Sequence, residues 1–384
     1  MASHKLRIGV DGSVLCMPPR GGITRTYAEI LPRICAADPE MGIDLFVVGR
    51  PAWLPSPLPN LQVHSCLRFK EALRPRRVLG RFAPRATGLS YSLSWAAGHV
   101  DLWHSTYFEV PLRPRVPVIV SNYDLVYWVC RTIFARPADR AFRRQQRRVL
   151  KAADHVVTNS ETTRRDTIDL MDVDPDDVTA IPLSASASFD RLPDADASAA
   201  ELGLGTLAAE ARPFVLYVGS RAMHKNFVQL AQGLARWERS EFLLVTVGAP
   251  LEKHESDFLD HLGLADRLVV LSDVSDAALC CLYNLAAVFV YPSLYEGFGI
   301  PLLEAMVCGC PVAASRIPSS LEVAGDAAVF FDPMDPAEIA TALEVAVSAG
   351  RQSPQVSLGM ERARAFSWDR CARETIDIYR RFAS

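Results

Sequence analysis

Two glutamates, Glu296 and Glu304, lie eight positions apart in the stretch SLYEGFGIPLLEAMVCG, residues 293–309. A carboxylate can accept from both hydroxyls of a vicinal diol, such as a ribose or a pyranose. Between them, Gly297 and Gly299 let backbone approach a ligand closely, with Phe298 and Ile300 alongside. Pro301 suits the first position of a helix and Gly309 its stop, which predicts a helix of about two turns. Glu304 is expected in the first turn, facing the same cleft as the Gly-Phe-Gly amides. Each glutamate alone also fits a structural role, Glu304 complementing the helix dipole and Glu296 capping the loop.

A second group, GSRAMHKNF (219–227), sets Arg221 and Lys225 four residues apart after Gly219, between a strand and a helix. A planar fork and a point charge together fit a pyrophosphate. Positive charge at a helix start is unfavourable unless an anion compensates it, so an anion site is expected there. Near the start of the chain, Gly21 and Gly22 precede a helix whose expected N-cap is Thr24. Such a pair either offers bare amides to a ligand or makes a tight turn. His104 closes the strand VDLWHS, where it either bonds a ligand hydroxyl or phosphate or serves the fold. DVDPDD (172–177) and DPMDP (332–336) resemble metal-ligating aspartates but read as polar turns and helix caps, so no metal site is expected. There is no P-loop and no complete G-x-G-x-x-G.

The elements that must position these groups are short apolar strands followed by helical spacing. LRIGVD, IDLFVVG, VDLWHS, PVIVSN and HVVTNS stand in the first half, and PFVLYVGS, FLLVTVG, RLVVLS, AAVFVYPS, CPVAAS and AAVFF in the second. Continuous apolar strands alternating with helices mean parallel sheets covered on both faces. Two such sets predict an α/β chain of two doubly wound domains, with ligands beyond the carboxyl ends of the strands and a cleft between the domains. The expected division is 1–185, a linker over 186–210 in an Ala/Ser/Asp/Pro-rich stretch, 211–366, and a closing amphipathic helix in 367–384.

Length and composition agree with two ordinary globular domains: 384 residues, 49% hydrophobic and 22% charged. Residues 1–184 hold 25 Lys+Arg against 18 Asp+Glu, and the remainder 16 against 26, which suggests different partners for the two halves. Two basic runs, 68–85 and 131–151, are either solvated helix faces or contacts with an anionic lipid surface. No nucleic-acid recognition pattern accompanies them. The nine scattered cysteines read as buried free thiols of a reducing compartment. With no apolar leader or membrane-length run, a cytoplasmic location is expected, peripheral on the membrane at most.

Together these stretches resemble the retaining, nucleotide-sugar-dependent glycosyltransferases of the GT-B fold that carry an E-x7-E motif. The motif YPSLYEGFGIPLLEAMVCGCPVAAS is matched with Glu296 and Glu304 in place, and the likeness runs nearly end to end through GGITRTYAEI, VVTNSETTRRD, YVGSRAMHKNF and EVAGDAAVFFDPMDPAEIATAL. The resemblance implies a nucleotide-sugar donor as substrate, with no bound cofactor. It implies that Glu304 holds the ribose and Glu296 the donor sugar with the amides of Phe298, Gly299 and Ile300. Arg221 and Lys225 would stabilise the leaving diphosphate, His104 would position the sugar, Ser272 to Val274 would line the base, and Gly21 and Gly22 would flank phosphates and acceptor. Many relatives carry His-Asp after the fifth strand; here Tyr123 replaces the histidine and Asp124 is kept, which bears on the acceptor. Likeness to polysaccharide mannosyltransferases points to mannose from GDP-mannose and a lipid-linked oligosaccharide or polysaccharide acceptor. UDP-glucose is the rival donor, and a non-catalytic nucleotide-sugar-binding scaffold the rival role.

Overall fold

The structure is a computed structural model that describes residues 5–17, 21–48, 50–66, 91–92, 99–202 and 212–383. The basic run 68–85 therefore lies outside the described residues. The chain divides into two compact units. One comprises Met1–Trp128, Phe134–Leu183 and Ser367–Ser384, and the other Val129–Ile133 and Ser184–Phe366.

The first unit is built on seven strands: β1 (Arg7–Asp11), β2 (Gly42–Val47), β3 (Leu61–Ser65), β4 (Leu102–Ser105), β5 (Val118–Asn122), β6 (His155–Thr158) and β7 (Val178–Ala180). All pair in parallel, in the order β3-β2-β1-β4-β5-β6-β7. Their continuous apolar character has the cause read from the sequence: helices cover the sheet, so Ile8, Val10, Ile119 and Val120 are fully buried. Helix α1 (Gly22–Ala37) follows β1, with Gly21 as its N-cap. It starts two residues before the expected cap. Thr24 lies inside the helix, buried, with Oγ1 donating to Val14 O at 3.2 Å, so the hydroxyl pins the preceding turn instead of capping.

Helix α2 (Pro137–Lys151) turns Gln146, Val149 and Leu150 inward and leaves Arg140, Arg144, Arg147, Arg148 and Lys151 exposed. Helix α3 (Glu161–Met171) ends at Asp172 in the left-handed conformation. The two aspartate-rich stretches act as turns and caps. Asp172 pairs with Lys151 at 2.8 Å, Asp174 accepts from Asp176 N, and Asp335 accepts from Ala337 N.

The second unit opens with α4 (Ala195–Glu201), inside the span expected as linker. Within its described part, 186–202, Leu192 N donates to Asn284 Oδ1 and Cys281 Sγ donates to Ala195 O. Its six strands are β8 (Phe214–Val218), β9 (Leu243–Val247), β10 (Leu268–Leu271), β11 (Val288–Tyr291), β12 (Val312–Ser315) and β13 (Val329–Phe331). They run parallel in the order β10-β9-β8-β11-β12-β13, so the order reverses between β8 and β11. Around the sheet stand α5 (Phe227–Arg236), α6 (Lys253–His261), α7 (Asp276–Leu285), α8 (Ile300–Val307), α9 (Pro318–Ala324), α10 (Pro336–Ala349) and α11 (Pro354–Arg364).

The last helix, α12 (Trp368–Phe382), belongs to the first unit. It lies on α1 and buries Trp368, Cys371, Ala372, Thr375, Ile376, Ile378 and Tyr379, with Arg33–Asp369 and Arg380–Asp38 ion pairs at the margin.

Candidate functional site

In an open parallel sheet the point where strand order reverses leaves a crevice at the strands' carboxyl ends. In the second unit that point lies between β8 and β11, which deliver the Gly219–Asn226 and Pro292–Gly299 segments. Gly219 leaves β8 at φ +140°, a conformation open to glycine, with nothing within 4 Å of where a side chain would begin. The chain then makes one 3-10 turn, Met223–Lys225, and enters α5 through Asn226 at φ +60°. Asn226 is the pin of the joint: Nδ2 donates to Pro292 O at 3.0 Å and to Pro333 O at 2.7 Å. Leu294 N donates to His224 O at 2.8 Å, so the two segments are fastened to each other.

Arg221 and Lys225 each have a carboxylate partner. Lys225 Nζ lies 2.6 Å from Glu296 Oε1, with side-chain exposures of 25% and 14%. Both remain open to a ligand. Arg221 is different. Its side chain is 5% exposed, Nε donates to Glu255 Oε1 at 2.9 Å and Nη2 to Pro250 O at 2.7 Å, while Nη1 is buried with no hydrogen-bond partner among the described residues. Burial raises the Glu255 carboxyl, but the hydrogen bonds from Arg221 and from Glu252 N outweigh it and hold the group below its usual value. Arg221 is thus a buried cation paired with a carboxylate of α6. Tyr291, fully buried at the end of β11, is pushed well up by burial and then by the charge and hydrogen bond of Glu296.

Helix α8 is capped at its start by Gly299, whose φ of +131° a side chain would strain; an added Cβ would also sit 3.0 Å from Leu302 Cδ1. Phe298 and Ile300 are buried, Phe298 edge-on to Phe366, so their side chains hold the loop and leave its backbone as the part to meet a ligand. Gly297 lies between Glu296 and this turn. The helix runs about two turns as predicted. Glu304 falls in its second turn and not its first, because the helix starts at Ile300. It is 2% exposed and accepts from Tyr283 Oη at 3.1 Å. After β10, Ser272 is exposed with Oγ donating to Gly248 O at 2.9 Å, and Val274 is half-buried before α7.

The remaining candidates lie in the first unit. Gly21 and Gly22 are exposed at the amino end of α1. His104 is 1% exposed, with Nδ1 2.5 Å from Tyr379 Oη and Nε2 2.9 Å from Ser121 Oγ. Burial lowers its pKa to about 3, so the ring is neutral. Both nitrogens have hydrogen-bond partners inside the unit, so the ring joins β4, β5 and α12. Tyr27 donates to Ser121 Oγ at 3.0 Å and meets Tyr123 edge-on, with ring centroids 6.4 Å apart. Tyr123 hydrogen-bonds into the same network, and burial raises its pKa. Asp124 turns Oδ1 to Val126 N at 3.0 Å.

Among the described residues no group of three or more His, Cys, Asp or Glu could hold a metal ion, and no helix is long and apolar enough to cross a membrane. Sequence reasoning missed Asn226, Glu255, Tyr283, Tyr291 and Tyr379. The polar side chain at the αL position before α5 was a signal for the first; for the others the sequence offered none.

The model described as Glycosyl transferases group 1 matches residues 205–356, and that of a glycosyl transferase 4-like domain matches residues 8–184. The chain is 30% identical over 287 residues to an O-antigen chain mannosyltransferase B of Escherichia coli, covering 73% of this chain and 74% of that one. It is 26% identical over 345 residues to a D-inositol 3-phosphate glycosyltransferase of Acidothermus cellulolyticus, covering 85% and 73%. Its structure resembles that of a sucrose-phosphate synthase from Thermosynechococcus elongatus, with a TM-score of 0.80, 20% identity and 98% of each chain covered. With two Rossmann-like parallel sheets and these matches over both units, the chain belongs to the glycosyl transferases group 1 family and has the GT-B fold.

Proposed function

We propose that this glycosyltransferase moves mannose from GDP-mannose to a lipid-linked oligosaccharide or polysaccharide acceptor, with retention of configuration and without a metal. The observation that carries the reading is the Lys225–Glu296 pair at the strand-order reversal, partly exposed, on the segments that hold Gly219 and the Gly297–Ile300 backbone. Transfer builds positive character on the sugar and negative charge on the departing diphosphate. A fixed cation at that diphosphate lowers the barrier, and a carboxylate holding the sugar hydroxyls orients the reacting carbon. Lys225 takes the first role and Glu296 the second. Arg221, buried behind the loop, stiffens it and adds field to the phosphate side. Glu304 holds the ribose diol, and Ser272 to Val274 line the base. In the first unit, Tyr123 and Asp124 contact the acceptor, and Gly21 and Gly22 approach phosphate with the amides that begin α1.

Likeness to the O-antigen mannosyltransferase supports mannose as the sugar and a surface-glycan acceptor. The exposed arginines of α2 support contact with anionic lipid, each charge contributing about 1 kcal/mol near such a surface. A thermal-shift panel tests the donor, because a ligand of the folded state raises apparent stability by mass action. GDP and GDP-mannose are expected to raise the melting temperature. A shift with UDP and none with GDP overturns the choice of base.

A further inference from the structure

Glu304 stands where two helices, α7 and α8, meet, and two side chains fix how they meet. Tyr283 on α7 is fully buried and donates from Oη to Glu304 Oε2 at 3.1 Å. Phe289 and Phe189 meet its ring edge-on, at centroid distances of 5.3 and 6.0 Å, so the hydroxyl has one approach to the carboxylate. Arg351, in the turn after α10, reaches the carboxyl ends of both helices. Nη2 donates to Tyr283 O at 2.7 Å and Ala286 O at 2.6 Å, and Nη1 donates to Gly309 O at 2.8 Å. The last carbonyls of a helix have no partner within it. A rigid planar fork that satisfies carbonyls from α7 and from the stop of α8 also sets the spacing between them, which a lysine's single point charge would not do.

We infer that Tyr283 and Arg351 are positioning residues for Glu304 and set the enzyme's selectivity for an intact ribose diol on the donor. The inference rests on reading Glu304 as the ribose ligand. Two-point recognition of a diol tolerates errors of only about 0.5 Å and 10–20° in the group that accepts from it. A hydrogen bond to a buried carboxylate is among the stronger ones available to hold such a group. Tyr283 fixes the direction of the carboxylate, and Arg351 fixes the helix that carries it.

The test is calorimetric titration of the full chain with GDP, 2′-deoxy-GDP and 3′-deoxy-GDP, and with the uridine set if UDP is the nucleotide that shifts melting. In the wild type the deoxy analogues bind at least tenfold more weakly. In Tyr283→Phe, which keeps the buried ring, that discrimination falls at least fivefold, while the affinity ratio of nucleoside diphosphate to monophosphate stays at the wild-type value. Arg351→Lys moves discrimination in the same direction. A merely structural role would weaken ribo and deoxy ligands alike. Wild-type discrimination in both folded variants overturns the inference. If one variant fails to fold, the other decides. Glu304→Gln separates the two levels. Loss of discrimination there with none in Tyr283→Phe and Arg351→Lys sinks the positioning roles alone, whereas unchanged discrimination in Glu304→Gln sinks the ribose reading itself.

Discussion

Lys225 Nζ and Glu296 Oε1 lie 2.6 Å apart, joining the segment after β8 to the segment after β11 across 71 positions of sequence. The cation is paired with a carboxylate, so on the proposed reading a donor diphosphate competes with Glu296 for it.

That competition gives the first prediction. Glu296→Gln frees Lys225 and should tighten nucleoside diphosphate binding about 3- to 5-fold, in line with the modest coupling of a partly exposed pair. The same change should slow sugar transfer. Lys225→Met should lower kcat about 10²- to 10³-fold, the loss typical of one donor at a site of developing charge. Calorimetry with GDP beside steady-state transfer rates checks both. Weaker GDP binding by Glu296→Gln would show that the pair does not compete with the ligand.

The Arg221–Glu255 pair should behave as a structural element. Glu255→Ala leaves a guanidinium that is 5% exposed without its carboxylate, and breaking a buried pair costs about 3 kcal/mol. Urea unfolding of the second unit should show that loss. The sign with pH follows from the lowered Glu255 carboxyl. Its contribution is complete above the unfolded value of about 4.3 and fades as pH falls through the lower folded value. Glu255→Gln should flatten the acid limb of the stability curve.

His104 gives the same sign in a higher pH window. Its folded pKa is about 3, so between that value and about 6.5 the unfolded chain binds a proton that the folded one refuses. The stability this neutral ring supports is present above about pH 6.5 and lost as pH falls. Lowering pH from 7 to 5 should cost the first unit about 2 kcal/mol from this ring. His155, lowered to about 4 by burial and then by Arg381, adds in the same direction. A histidine NMR titration should find the His104 ring neutral at pH 5. An ordinary titration near pH 6.5 would mean the ring is not enclosed as described.

Gly299→Ala tests the entry to α8. At φ +131° the added methyl costs about 1–3 kcal/mol unless the turn rearranges. Either outcome should weaken donor binding, and nucleotide titration of a variant with wild-type circular dichroism checks it.

Much of this was legible in sequence. Parallel strands buried on both faces need no alternation, so runs such as AAVFVYPS announce themselves, and Pro301 and Gly309 mark the short helix because their backbone preferences are local. The partners were not legible. Glu255 stands 34 positions from Arg221, and Tyr379 stands 275 from His104. Which side chains meet over such spans depends on how layers pack, and a single sequence records no distance. The cap of α1 was misread for a different reason. Gly21 caps with its backbone alone, whereas Thr24 is the first hydroxyl side chain after the glycines and so reads as the cap.

The place of α12 has a consequence for biosynthesis. The first unit draws on residues up to Leu183 and then on Ser367 onward, with most of the second unit between them. At translation rates of about 10–20 residues per second, roughly 10–20 s separate the emergence of its two parts. During that interval α1 lacks the contact of α12 and His104 lacks Tyr379. The nascent chain should therefore depend on holding chaperones until α12 has emerged. A stop codon between Ser367 and Tyr379 would remove the helix that completes the earlier-made part of this unit.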